Sequence, residues 1–256
     1  MKKAELKDFL DKLYHKYHKR HSSKDPIWTL HKFSDERDIE IAGLIISSYS
    51  YGRVDQINKF INTFFERINW KPYEFTINYS HIKDKKQLNN LYYRFNDEKD
   101  LANLIKGMQK SLRNYGSLKL LFLEKYNEND KNITAPLNFF VNSITNNKLY
   151  YLLPDISKNS TAKRLNMYLR WMVRKDDIDL GIWSDKVSSS KLIMPVDTHI
   201  YKIAQKLKLV KRKSCDIKFA LELTEKLKEF DPVDPVKYDF ALCHLGIDGK
   251  NHLEEL

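Results

Sequence analysis

The sequence predicts an all-α protein, and three observations support this prediction. Glycine and proline number only seven each among 256 residues, so few positions interrupt a helix. Apolar residues recur every three or four positions along most of the chain, which is the spacing of one helix face. Alternation of apolar and polar residues with a period of two never extends beyond a few residues, so strands are not expected.

Helical spacing is found in several segments before residue 150. The first, AELKDFLDKLYHKY, has one apolar face, and the second, SDERDIEIAGLIISSYSYG, begins at a capping-type Ser34 and ends near Gly52. Residues 71–84 are polar and are interpreted as a connection. The other segments with helical spacing are VDQINKFINTFFERI, KKQLNNLYYRF, DEKDLANLIKGMQKSLRNYG, SLKLLFLEKY and APLNFFVNSITNN.

The last third of the chain has the clearest helix boundaries. A helix in STAKRLNMYLRWMVRKDD is followed by a loop, DIDLGIWSDKVSSSKLIMP, and then by two amphipathic segments, THIYKIAQKLKL and CDIKFALELTEKLKEF. In the final segment, Asp234 is expected to cap a helix that has Pro235 at its first position and stops at Gly246.

The charge balance favours a polyanionic partner. The chain has 45 Lys and Arg against 34 Asp and Glu, a net charge of +11. Nucleic acid is the first partner that this excess suggests, and an anionic membrane surface is the second. The alternative is that the lysines only keep the protein in solution.

The cysteines and the hydropathy exclude several classes of protein. Two cysteines in no CxxC pattern cannot build a four-cysteine zinc or iron–sulfur site, and two reduced thiols fit a cytoplasmic protein. No metal or cofactor is expected. The N-terminal segment lacks the apolar core of a signal peptide, and no stretch of 18 apolar residues occurs. We expect a cytoplasmic protein without a membrane span.

One carboxylate has two possible roles. In MPVDTHIYKIAQKLKL, Asp197 stands directly before a short basic helix, where its side chain can accept hydrogen bonds from free N–H groups of the first turn. This is a complete structural explanation. The positive end of the helix would also hold the carboxylate ionised, as required of a group that faces a developing cation.

The segment PVDTHIYKIAQKLKL resembles the part of the helix-hairpin-helix DNA glycosylases that carries their essential aspartate. The resemblance implies a two-lobed helix-hairpin-helix fold over residues 1–256, with lobes at about 35–150 and 151–256 and an N-terminal helical extension at 1–34. It assigns the aspartate's role in breaking the base–sugar bond to Asp197. The sequences EIAGLIISSYSYGRV, KRLNMYLRWMVRKDDIDLGIW and DPVKYDFALCHLG also resemble a bacterial family known as a domain of unknown function.

A lysine upstream extends the first resemblance. Bifunctional glycosylases carry a lysine at the start of the helix after the hairpin, and NSTAKRLNMYLRWM offers Lys163, 34 residues before Asp197. This spacing is similar to that of the archaeal branch that excises oxidised guanine. Only an unprotonated amine attacks a sugar carbon, and the helix start and nearby arginines favour that form. The alternative is that Lys163 contacts phosphate or solvent.

The resemblance also implies secondary site residues. Met167 and Asp239 are expected in a pocket for the extruded base; the alternatives are a core methionine and a surface charge. Contacts to DNA are expected from a larger group of side chains. These are Tyr49 or Tyr51 as a filler in the base stack, Asn159 in a left-handed conformation in the hairpin turn, and Arg164, Arg170 and His199. The alternatives are a tyrosine packed in the core and a local hydrogen bond of His199.

The predicted function is therefore a base-excision repair glycosylase with AP-lyase activity. Its predicted substrate is double-stranded DNA that contains a damaged base such as 8-oxoguanine. The protein is expected to act as a monomer, in the cytoplasm and associated with the nucleoid. Two alternatives remain. One is a monofunctional alkylpurine glycosylase in which Lys163 is dispensable. The other is a non-catalytic DNA-binding protein of the same fold, which the glycine-free hairpin PDISKNSTA favours.

Overall fold

The computed structural model describes residues 2–20, 24–145, 149 and 151–248. Over these residues the protein is all-α: no strand occurs, and pairing is limited to two isolated bridges, Tyr93 with Asn96 and Lys175 with Leu180. The α-helices of the described residues are α1 (Lys3–Tyr17), α2 (Ile27–Leu30), α3 (Glu36–Tyr49), α4 (Val54–Arg67), α5 (Pro72–Asn78), α6 (Lys85–Leu88), α7 (Glu98–Tyr115), α8 (Leu118–Leu123), α9 (Thr134–Thr145), α10 (Lys163–Val173), α11 (Thr198–Lys206), α12 (Ile217–Lys228) and α13 (Asp239–Asp248).

The chain forms two compact units. Residues 23–157 form one, and residues 1–22 together with 158–256 form the other. The sequence interpretation set residues 1–34 apart as an extension. In the structure α1 instead belongs with the C-terminal unit, because its apolar face is buried at Leu6, Leu10 and Leu13 and the helix packs on α13.

The unit of residues 23–157 is built around α3. Its eleven residues from Ile39 to Tyr49 are all buried, and it packs against α2, α4, α5 and α8. Glu40 is one of these residues, and its carboxylate accepts hydrogen bonds from the backbone N–H groups of Leu118 and Lys119 at 3.0 and 3.2 Å. A buried acid thus compensates the free N–H groups at the start of α8.

The unit of residues 1–22 and 158–256 has a charged interior. Arg170 and Arg174 of α10 both pair with Asp179, whose side chain is 0% exposed. Arg170 also pairs with Asp239, and Arg174 pairs with Asp176 and Asp234. These contacts join α10, the loop after it and the start of α13, so they determine where those segments lie.

Several predicted boundaries were wrong, for local reasons. Asp35 rather than Ser34 caps α3, since its side chain accepts the N–H of Arg37. The interval 71–84 contains α5, which begins at Pro72. The helix predicted in KKQLNNLYYRF stops at Leu88, because Asn90 takes a left-handed φ of 58° and ends it.

The final helix also differs from its prediction. Asp234 does not cap it: the carboxylate accepts from Arg174 Nε, and residues Pro235–Tyr238 form a 3-10 helix before α13 begins. The helix runs past Gly246 to Asp248. A Cβ on Gly246 would lie 2.6 Å from the Cβ of His199, so glycine allows α13 to approach α11 closely. None of the helices described is long and apolar enough to cross a membrane.

Candidate active site

Asp197 caps α11, as the sequence predicted. Its backbone is extended, with φ −107° and ψ −173°, and its Oδ1 accepts hydrogen bonds from the N–H groups of His199 and Ile200, both at 2.9 Å. The side chain is partly exposed. A single oxygen therefore satisfies the helix start, and the second oxygen is available for another role.

The second oxygen of Asp197 lies against α13. Cys243 donates its thiol to Oδ2 over 3.8 Å. Burial also raises the pKa of the other thiol, that of Cys215, and the charges of Asp216 and Asp197 act in the same direction. Neither cysteine forms a disulfide. No pattern in the sequence predicts the contact between Asp197 and Cys243, because 46 residues separate them.

Lys163 is the first residue of α10, and the turn before it is tied to the segment that carries Asp197. The hydroxyl of Thr161 donates to the backbone carbonyl of Val196 at 3.3 Å. The Lys163 side chain is partly exposed and makes no hydrogen bond or close ion pair within the described part of the chain. Its amine is therefore not engaged by a structural partner.

Asp239 interacts electrostatically with both predicted catalytic residues. It is 5% exposed at the start of α13. Burial raises the pKa of the Asp239 carboxyl to about 6, Asp197 acts in the same direction, and Lys163 and Arg170 oppose the shift. The charges of Lys163 and Asp197 thus both act on the Asp239 carboxyl, in opposite directions.

The first two turns of α10 carry further side chains beside Lys163. Met167, one turn later, is 8% exposed, and the sequence left a core role open for it. Asn166 is 1% exposed and donates its Nδ2 to the carbonyl of Thr161 at 2.9 Å. Its Oδ1 is buried and accepts no hydrogen bond from any described residue. Sequence reasoning did not select Asn166, although it follows Lys163 by three positions on the same helix face.

Two residues predicted to contact DNA are buried. Arg170 is 4% exposed, and its guanidinium forms ion pairs with Asp179 and Asp239. The side chain therefore compensates buried charge, and the prediction that it contacts DNA was wrong. Tyr49 is 0% exposed and stacks on Phe60 with ring centroids 4.4 Å apart, so it belongs to the core rather than to a DNA surface. Asp239 is likewise buried rather than a surface charge.

The other predicted DNA contacts lie nearer the surface. Tyr51 and Arg164 are partly exposed. His199 is exposed, and its Nδ1 lies 3.1 Å from the carbonyl of Gly246, 47 residues later in the chain. Asn159 adopts the expected left-handed conformation, with φ 64°. Ala162, at the cap position of α10, is also left-handed, with φ 47°.

No three His, Cys, Asp or Glu side chains of the described residues are placed to share a metal ion. The groups that the site offers for chemistry are the amine of Lys163, the carboxylate of Asp197 and the buried acid Asp239, which stand at the starts of α10, α11 and α13.

The comparison with protein families is decisive for classification. Residues 25–248 match the family described as "Protein of unknown function (DUF2400)". The chain belongs to the DUF2400 family. No curated protein and no solved structure matches it. The DUF2400 match includes Lys163, Asp197 and Asp239, and it agrees with the second of the two resemblances in the sequence.

Proposed function

We propose that this DUF2400 protein is a base-excision DNA glycosylase with AP-lyase activity, in which Lys163 is the nucleophile and Asp197 stabilises the cationic sugar. The observation that carries the proposal is that Lys163 begins α10 and Asp197 begins α11, with the charges of both acting on the buried Asp239 carboxyl. The hydrogen bond from Thr161 to Val196 supports it, because it ties together the segments that precede the two residues.

The reaction follows from the groups present. The bond between C1′ and the base breaks, the base leaves with the electron pair and takes up a proton, and the positive charge that develops on the sugar faces the Asp197 carboxylate. The neutral amine of Lys163 adds to C1′, and opening of the sugar ring gives a protonated imine. Loss of a proton from C2′ then expels the 3′ phosphate and cuts the strand.

The proposed substrate is an oxidised purine, with 8-oxoguanine as the first candidate, in double-stranded DNA. A base inside a duplex cannot reach Lys163, so it must be extruded into a pocket. Met167 offers an apolar wall and Asn166 a buried carbonyl oxygen that is available as an acceptor. An acceptor of this kind suits an N–H on the edge of a modified base.

Borohydride trapping tests the proposal. Full-length protein is incubated with a duplex that contains 8-oxoguanine, in the presence of borohydride, and the covalent adduct is measured. We expect an adduct with the wild type and none with Lys163→Ala. The matched control is Lys202→Ala, which removes an exposed lysine of α11 and should leave the adduct unchanged.

Two outcomes would replace the proposal. Base release without any adduct would identify a monofunctional glycosylase, in which Asp197 activates water and Lys163 is dispensable. Binding of DNA with no base release across a panel of oxidised and alkylated bases would identify a non-catalytic DNA-binding protein. The glycine-free turn before α10 favours that last alternative, since a side chain at each position hinders a close approach of backbone to phosphate.

A further inference from the structure

A group of exposed aromatic side chains lies on the unit of residues 23–157. Tyr92 and Phe95 are each 68% exposed, and Tyr151 is 46% exposed. Arg94, between the first two in sequence, is also exposed. We call Tyr92, Arg94, Phe95 and Tyr151 the aromatic patch. Clustered exposed aromatic rings suggest an interaction surface, because leaving this much apolar area in water is unfavourable.

The patch is held by a tight turn. Tyr93 and Asn96 exchange both backbone hydrogen bonds, at 2.8 and 2.9 Å, and Arg94 has a left-handed φ of 54°. Tyr51 braces the turn: its hydroxyl donates to Asn96 Oδ1 at 2.6 Å, and the Tyr93 hydroxyl donates to the Tyr51 carbonyl. The exposed rings are therefore presented by a preorganised support, which reduces the ordering cost of binding.

Tyr151 meets two neighbouring rings edge to face. Tyr151 lies 5.5 Å from Phe95 at 75° and 5.1 Å from Tyr51 at 79°, measured between centroids. The guanidinium carbon of Arg94 lies 5.5 Å from the centroid of Phe95. Phe95 and Tyr151 do not cover one another as stacked rings do, and Phe95 and Tyr92 are each 68% exposed, so a flat ligand can stack on either ring.

A basic groove adjoins the patch. A cavity of about 280 Å³ is lined by Tyr92 and by Lys59 and Arg67 of α4, among other residues. Arg67 is fixed by hydrogen bonds to the carbonyls of Asn89 and Gln87 at 2.7 and 3.3 Å. Lys59 is exposed, and no ion pair with any described residue engages its amine. The acid next to the turn, Asp97, is occupied in capping α7.

We propose that the aromatic patch and this groove bind an unpaired DNA strand, with bases stacked on Tyr92 and Phe95 and phosphates held by Lys59 and Arg94. Flat apolar faces beside a cationic groove are the two features that single-strand binding combines, since every base offers a ring face and every nucleotide a negative charge. This site uses none of the residues of the proposed catalytic centre. It concerns binding alone and does not depend on base excision.

The test uses full-length protein and a 15-residue oligothymidylate that carries one 2-aminopurine and a terminal fluorophore. Anisotropy should show binding, and the 2-aminopurine emission should change as the base stacks. We expect Phe95→Ala and Tyr92→Ala each to weaken binding by about fivefold to a hundredfold. Phe95→Trp should retain it. The matched control is Ile82→Ala, an exposed apolar side chain of the same unit, 91% exposed and outside the patch.

The salt dependence of binding and a comparison of single-stranded with duplex DNA complete the test. Lys59→Gln should lower the slope of log affinity against log salt by about 0.7 for one lost phosphate contact. The corresponding blunt duplex should bind more weakly than the single strand. Absence of single-strand binding, equal effects of Phe95→Ala and Ile82→Ala, or tighter binding of the duplex would overturn the proposal. The oligonucleotide contains no damaged base and no strand is cut, so failure here is separate from failure of catalysis.

Discussion

Asp97 and Asp197 begin their helices with nearly the same geometry. Their φ and ψ are −102° and −175° for Asp97 and −107° and −173° for Asp197. In each, Oδ1 accepts two backbone N–H groups, from the second and third residues that follow. They differ in their surroundings. Asp100 closes a capping box at Asp97, whereas Cys243 faces the second oxygen of Asp197. Asp97 thus represents the capping role alone.

This pair separates capping from catalysis. Asparagine caps helices about as well as aspartate, so Asp97→Asn and Asp197→Asn should each change the free energy of unfolding by only a few tenths of a kcal/mol. Asp197→Asn should nevertheless abolish base release, because the negative charge is lost from the sugar site. Urea titration and a base-release assay measure the two effects. Unchanged release in Asp197→Asn would leave that residue with capping as its only role.

Asp239 should make stability depend on pH. Its carboxyl has a pKa of about 6 in the folded protein against an ordinary value of 3.8, so the folded state binds the proton more tightly. The tighter proton binding adds about 3 kcal/mol to the free energy of unfolding. This stabilisation is fully present below pH 3.8 and is lost as the pH rises through 6.

The matched variant is Asp239→Asn, which cannot titrate. Between pH 4 and pH 7, its free energy of unfolding should fall less than that of the wild type, by roughly that amount. Denaturant unfolding at several pH values provides the measurement. If the free energy of unfolding changed with pH equally in the two proteins, Asp239 would have the same pKa in the folded and unfolded states.

Replacing Arg170 should destabilise the fold strongly. Arg170→Met keeps much of the side-chain volume but leaves Asp239 with an uncompensated buried charge and Asp179 with Arg174 alone, which costs about 3–5 kcal/mol. Arg212→Met removes an arginine of a more exposed pair, with Asp216, and should change stability far less. Thermal unfolding of both variants decides the matter; equal melting temperatures would contradict a structural role for Arg170.

Gly52 should be less replaceable than Gly116. Both have a positive φ, 91° and 87°, so alanine is strained at either position. A Cβ at Gly52 would also lie 2.2 Å from Arg94 Nη1 and 3.1 Å from the Tyr93 hydroxyl, whereas at Gly116 the nearest atom is at 3.6 Å.

We therefore expect Gly116→Ala to cost about 1 kcal/mol, and Gly52→Ala to cost more and to displace Arg94. The free energy of unfolding and the affinity for oligothymidylate measure these effects. Weaker oligonucleotide binding in Gly116→Ala than in Gly52→Ala would argue against this account of the turn.

Local features of the site were predictable, and long-range ones were not. The capping role of Asp197 and the left-handed Asn159 follow from residue type and immediate neighbours. Arg170 was misassigned because charged residues at helical spacing usually face solvent. Its two partners lie 9 and 69 residues away, and only the folded chain brings them together.

The same reason explains the exposed turn at residues 91–96. Its aromatic residues have helical spacing, but Asn90 and Arg94 adopt a positive φ, which no helix allows. The hydrogen bond from Tyr51 to Asn96, 45 residues later, stabilises this other conformation. Tyr49 and Tyr51, two residues apart, likewise could not be separated by sequence into a core and a surface residue.

The hydroxyl of Tyr238 donates to Asp11 at 2.8 Å across 227 residues, and this bond has a consequence for biosynthesis. Helix α1 leaves the ribosome before residues 23–157, yet the surface that buries its apolar face is translated after them. Residues 23–157 can fold as soon as they have been made, while α1 must wait for α13. During that interval its exposed leucines are a site where a chaperone would bind the nascent chain.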